Sequence, residues 1–121
     1  MDKKLLLGAV AVVLIIGILY LLDENTPGTY DEFAECLSEN NVTMYGTFWC
    51  PHCKNQKEMF GKSWKFVDYV ECSTDDYQQT QVCLDAGIRG YPTWEFSDGS
   101  RQAGEITIDR IALASGCKLP A

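Results

Sequence analysis

Apolar residues follow two regimes along the chain. From Leu5 to Leu22 they are unbroken by charge, and after Asp23 they recur between polar residues. The unbroken run predicts a helix of about 27 Å at 1.5 Å per residue, close to the hydrocarbon thickness of a bilayer. Asn25-Thr26-Pro27-Gly28 is rich in turn residues, so 23–29 reads as a linker and 30–121 as one domain. Tyr30 to Glu39 carries Phe33, Cys36 and Leu37 at helical spacing, and Asn40-Asn41 ends that helix. Val42 to Phe48 reads as a buried strand, and Lys54 to Lys65 as a helix packing through Met59, Phe60 and Trp64. Phe66 to Cys72 alternates in part and predicts a second strand, parallel to the first because a helix joins them. Ser73-Thr74-Asp75-Asp76 offers a stop and a cap for a short helix from Tyr77 to Ala86, which carries Val82, Cys83 and Leu84 and ends at Gly87. Trp94-Glu95-Phe96 is a strand, and Asp98-Gly99 predicts a hairpin returning through Ser100 to Ala103. Ile106 to Ser115 forms the last helix, with Ile108, Ile111 and Ala112 inward and Gly116 as its stop. Phe60, Trp64, Phe66, Trp94 and Phe96 read as core.

The flanks of the first run add direction. Lys3 and Lys4 precede it, and Asp23 and Glu24 follow. The positive-inside tendency then puts residues 1–4 in the cytoplasm, makes 5–22 a transmembrane signal anchor, and places the rest outside. A cleaved signal peptide shares the basic start, but the run exceeds the usual ~7–15-residue core and no small-x-small site follows Leu22. Either reading exports the domain. Six cysteines in a chain of 121 residues suit an oxidising compartment. The net charge of −7 and the lack of a basic patch argue against nucleic-acid binding. The acidic balance reads as a solvated surface that keeps the domain off anionic lipid. Asn41-Val42-Thr43 matches a glycosylation acceptor but enters a buried strand, so it reads as a chance triplet.

The candidate chemistry sits in Trp49-Cys50-Pro51-His52-Cys53, where a strand gives way to a helix. Pro51 is tolerated in a first helical turn, and a helix N-terminus favours a thiolate at Cys50. A thiolate attacks a disulfide sulfur, and a second thiol resolves the mixed disulfide. His52, the chain's one histidine, lies inside the ring. As a cation or a donor to sulfur it would stabilise the reduced form and make the pair a better oxidant. Two blander readings compete. A zinc site needs two further ligands, which Cys72 and Cys83 supply only by approaching Cys50. A purely structural Cys50–Cys53 bridge is the other. The remaining cysteines allow three pairings. A local Cys72–Cys83 bridge would leave Cys36–Cys117 to tie the ends together, both structural; the sharper alternative makes Cys72–Cys83 a second redox pair relaying electrons to Cys50.

With Gly90-Tyr91-Pro92-Thr93 before the hairpin, the motif and the element order resemble the thioredoxin superfamily from Tyr30 to Cys117. A narrower likeness lies in Phe33-Ala34-Glu35-Cys36-Leu37, Tyr45 to Cys53, Gln56-Lys57, Tyr69-Val70-Glu71-Cys72, Gly87 to Trp94 and Ser115-Gly116-Cys117. These resemble the thioredoxin-like domain fused to bacterial vitamin K epoxide reductase homologues, although here one membrane helix stands in place of the multi-helix oxidase. The resemblance implies an α/β thioredoxin-like fold, a central mixed sheet flanked by helices. It implies Cys50 as exposed nucleophile, Cys53 as buried resolving thiol, and no cofactor or metal beyond the redox-active disulfide. It also implies a cis Pro92 beside that disulfide, in a substrate groove with Trp49, Tyr91 and Thr93. A cis X–Pro bond is energetically accessible. Many thioredoxins carry a buried acid six residues before the first cysteine; here Met44 stands there. The activity expected is that of a membrane-anchored extracytoplasmic thiol–disulfide oxidoreductase, an oxidase or isomerase for exported cysteine-containing proteins. Its recycling partner would be a vitamin K epoxide reductase-like or other quinone-linked membrane protein. The rivals are a reductase fed by a membrane electron carrier and a redox-inactive peptide-binding chaperone.

Overall fold

A computed structural model describes residues 2–121. Helix α1 (Lys3–Asn25) is apolar all round and has no buried residue, which makes it a candidate membrane span. Asp2 caps it by accepting from the Lys4 N–H at 3.3 Å. The helix absorbs Asp23–Asn25, so the connection expected over 23–29 shrinks to 26–29. That stretch is stitched down. Lys62 donates to the Asp23 carbonyl and the Thr26 hydroxyl and lies 3.0 Å from the Asp23 carboxylate. The Gly28 N–H donates to Asp31 at 3.0 Å, and a Cβ on Gly28 would lie 2.4 Å from Ser63 Oγ.

The domain continues with α2 (Asp31–Glu39), β1 (Thr43–Gly46), α3 (Pro51–Phe60) and a 3₁₀ helix (Gly61–Phe66). Then come β2 (Asp68–Glu71), α4 (Gln81–Asp85), β3 (Thr93–Glu95), β4 (Arg101–Ala103) and α5 (Ile108–Ser115). The sheet order is β2-β1-β3-β4. The β1–β2 pair is parallel and aligns Gly46 with Glu71, as a helical crossover requires. The β1–β3 and β3–β4 pairs are antiparallel. Met44 and Trp94 face each other in register, both fully buried. Phe60 packs on Trp94 and stacks on Phe33, with ring centroids 6.1 and 6.2 Å apart. A smaller cluster of Cys72, Cys83 and Ile88 takes in Tyr45, Val70 and Tyr91.

Several boundaries differ from the sequence reading, each for a local reason. The helix read over Lys54 to Lys65 begins at Pro51 and tightens into 3₁₀ geometry after Phe60, where Gly61 adopts φ 54°. The helix read from Tyr77 begins only at Gln81. Thr74 spends its hydroxyl on the Gln78 N–H at 3.0 Å, closing a turn with Tyr77 at φ 66° in place of a helix cap. Val82 and Leu84 are exposed, and only Cys83 of that trio is buried. Trp64 and Phe66 are half-buried at the core's edge. Helix α5 starts after Thr107, which caps it by accepting from the Arg110 N–H, and stops at Gly116 with φ 76°.

Candidate active site

Strand β1 runs out at Gly46, three residues turn the chain, and Cys50 becomes the N-cap of α3 with Pro51 at its first turn. Cys50 and Cys53 are free thiols. The other four cysteines are bridged, Cys36 to Cys117 and Cys72 to Cys83, with Cα separations of 5.9 and 5.5 Å. Cys50, expected to be exposed, shows only 7% of its surface, and Cys53 shows none. The cover comes from the 90–93 loop, whose Tyr91 carbonyl stands 3.8 Å from Cys50 Sγ. The Tyr91–Pro92 peptide is cis, and the Pro92 carbonyl accepts from the Gly104 N–H at 2.7 Å. Trp49 meets Tyr91 edge to face, and its indole N–H donates to Ser73 Oγ at 3.0 Å.

Two expected site residues sit differently. Thr93 is buried, and its hydroxyl donates to the Gly90 carbonyl at 2.7 Å; it braces the loop from behind and does not line a groove. Pro92 is likewise fully buried, so the open surface beside Cys50 belongs to Phe48, Trp49 and part of Tyr91. Phe48 packs against the exposed Tyr77, which sequence reasoning had placed in a helix. His52 projects outward, its side chain 70% exposed, and its Nδ1 lies 3.0 Å from Glu105 Oε2 and bonds neither sulfur.

Residues outside the Cys-x-x-Cys pair hold the frame. Gln56 is fully buried: it donates to the Ile106 carbonyl at 2.9 Å and accepts from the Ile106 N–H and the Trp94 indole. In the sequence it stands out only through the family likeness at Gln56-Lys57. Burial pushes the Cys53 thiol up to about 12, while the Thr47 backbone N–H and the Lys57 charge pull the other way. Tyr69 donates to Glu71 Oε1 at 2.9 Å; desolvation and that carboxylate hold its phenol above the usual range. Tyr91 is raised as well, mainly by desolvation. Met44 is fully buried where the resemblance expects an acid. Among the described residues, no three of His, Cys, Asp or Glu are grouped to hold a metal ion.

The thioredoxin family pattern matches residues 24–114. The chain belongs to the thioredoxin family. It is similar to thiol-disulfide oxidoreductase LTO1 of Arabidopsis thaliana, with 42% identity over 91 residues, 71% of this chain and 24% of that protein. It therefore spans about a quarter of that relative's length. It is also similar to mycoredoxin 1 of Corynebacterium glutamicum, 28% identical over 74 residues, which cover 60% of this chain and 91% of the mycoredoxin. Thioredoxin-fold oxidoreductases use a redox-active disulfide rather than a cofactor. Cys50 and Cys53 are the two unbridged cysteines, at the start of α3.

Proposed function

We propose that this thioredoxin-family protein is a membrane-anchored thiol–disulfide oxidoreductase in which Cys50 attacks and Cys53 resolves. One observation carries the reading: the two unbridged thiols lie at the start of α3 under a cis X–Pro loop, while every other cysteine is stapled. Two disulfides in so small a domain suit an oxidising compartment. The Lys3-Lys4 and Asp23-Glu24 flanks of α1 favour a cytoplasmic N-terminus and an extracytoplasmic domain. The substrates are exported cysteine-containing proteins, which the enzyme oxidises or isomerises; His52, turned outward to Glu105, makes no bond to either sulfur. The likeness to domains fused to vitamin K epoxide reductase homologues supports recycling by a quinone-linked membrane oxidase of that kind.

In a Cys50→Ser protein, exchange with a model disulfide is abolished; exchange that survived would overturn the assignment. Cys53→Ala leaves mixed disulfides unresolved, so the trapped species, separated under non-reducing conditions, contain the clients and the recycling partner. A chaperone of the same fold would trap nothing covalently.

A further inference from the structure

Cys53 poses a problem that the exchange reading does not answer. It is fully buried, and its thiol is pushed up to about 12, so very little is thiolate near neutrality. The strand position from which related domains offer a carboxylate holds Met44. The nearby acidic and phenolic groups are already committed. Glu71 accepts from the Tyr69 hydroxyl through Oε1 and from the Phe48 and Ser73 N–H groups, at 3.2 and 3.0 Å, through Oε2. The Tyr69 phenol, held above its usual range, stays protonated and is no base.

A cation, however, is at hand. Lys57 lies one helical turn after Cys53 on the same face of α3, and side chains lean back towards a helix's N-terminus. Its Nζ stands 4.0 Å from the Tyr69 ring centroid and 5.9 Å from that of Trp64. Among the described residues, no carboxylate lies within 4.0 Å of it. Aromatic faces hold this ammonium in place, so its charge is not cancelled by a direct counter-ion. Tyr69 also borders the sulfur: a Cβ on Gly46 would lie 2.9 Å from Cys53 Sγ and 3.1 Å from Tyr69 Cε2. The sulfur and the Tyr69 ring thus share Gly46 as a neighbour, the ring carries the ammonium, and Glu71 fixes the ring.

We propose that Lys57 stabilises the Cys53 sulfur as a thiolate while the Cys50–Cys53 bond forms or breaks, and that Tyr69, braced by Glu71, is the positioning residue that holds Lys57 there. The inference rests on the reading of Cys50 and Cys53 as an exchange pair. In resolution, Cys53 gives its proton to water and its thiolate attacks Cys50 Sγ of the mixed disulfide. The Cys50–Cys53 bond forms, and the client sulfur leaves with the electron pair and takes a proton from water. In the opposite direction a client thiolate attacks Cys50, and Cys53 leaves as the thiolate. Both directions place negative charge on Cys53, so Lys57 serves either.

The test mixes the reduced full chain with dithiobis(nitrobenzoate) and follows two releases of thionitrobenzoate, the first from attack by Cys50 and the second from resolution by Cys53. Without the nearby cation the thiolate fraction of Cys53 falls, partly offset by the higher nucleophilicity of a more basic thiolate, so Lys57→Met slows the second release about threefold or more. The first release stays within about twofold, because Cys50 lies a further helical turn from Lys57 along α3. Lys57→Arg restores the second release, and Tyr69→Leu slows it with Lys57 intact. In a Cys50→Ala background, the pH profile of Cys53 alkylation moves upward with Lys57→Met and returns with Lys57→Arg. An unchanged second release, equal slowing of both releases, or no rescue by arginine overturns the proposal. A wild-type protein that gave no first release would sink the exchange reading, whereas the Cys53 alkylation profile would still report on Lys57.

Discussion

Gly46 shows how finely the site depends on single atoms. Its missing Cβ is the space that Cys53 Sγ, Tyr69 and the Met44 methyl occupy, at 2.9, 3.1 and 3.3 Å from where that carbon would be. Two of those neighbours are a buried thiol and a hydrogen-bonded ring, so neither gives way easily. Gly46→Ala therefore costs about 1–3 kcal/mol by overpacking, read as a lower denaturation midpoint of the reduced protein. An unchanged midpoint would mean that the Cys53 side chain has room to retreat. At this scale the sequence discloses residues whose chemistry is unusual in itself. Cys50 and Cys53 stand out by type and spacing, and Pro92 by the family resemblance. Lys57 and Glu105 do not: Lys57 enters only through the family likeness, and Glu105 meets His52 only across 53 positions of chain. Gly46 reads as a weak spot in a strand until its neighbours are known.

Elements are locked together at Gln56. This one amide joins α3 to the Trp94 indole on β3 and to both backbone groups of Ile106, just ahead of α5. Gln56→Leu keeps the bulk and strands a buried indole N–H, an amide N–H and a carbonyl. Each unsatisfied group costs about 1–3 kcal/mol, so the variant loses roughly 3 kcal/mol or more. A urea midpoint that falls at an unchanged slope would show this; a loss under about 1 kcal/mol would mean that water replaces the amide. The order of strands and helices and the Asp98-Gly99 hairpin were legible, because hydrophobic period and turn chemistry agree there. The start of α4 was not. Thr74 and Asp76 carry the side chains of a helix cap, yet they hydrogen-bond to each other and Thr74 closes a turn, so the helix waits until Gln81. The 3₁₀ stretch after Phe60 was hidden for a similar reason, since a glycine inside a helical pattern does not announce its φ.

The two disulfides divide the work of holding the whole molecule. Cys36–Cys117 spans 81 residues and ties α2 to the segment after α5. Cys72–Cys83 spans only 11 but sits against the site: the Cys72 N–H donates to the Gly46 carbonyl at 2.7 Å, and Tyr91 packs on its cluster. Loop-closure entropy gives the long bridge about 4.5 kcal/mol and the short one roughly 3 kcal/mol. Stability and activity should therefore separate. Replacing Cys36 and Cys117 by serine lowers the denaturation midpoint further, yet exchange per folded molecule is retained, because the bridged sulfurs are held by Asn40 and make no hydrogen bond to the redox turn. Replacing Cys72 and Cys83 costs less stability but slows exchange, since Tyr91 loses its backing and Ser73, which holds the Trp49 indole, loses its anchored neighbour. Denaturation midpoints set beside exchange rates at saturating folded fraction decide the matter. If the short bridge opened in mild reductant as readily as Cys50–Cys53, the staple reading would fail and electron relay through Cys72–Cys83 would take its place.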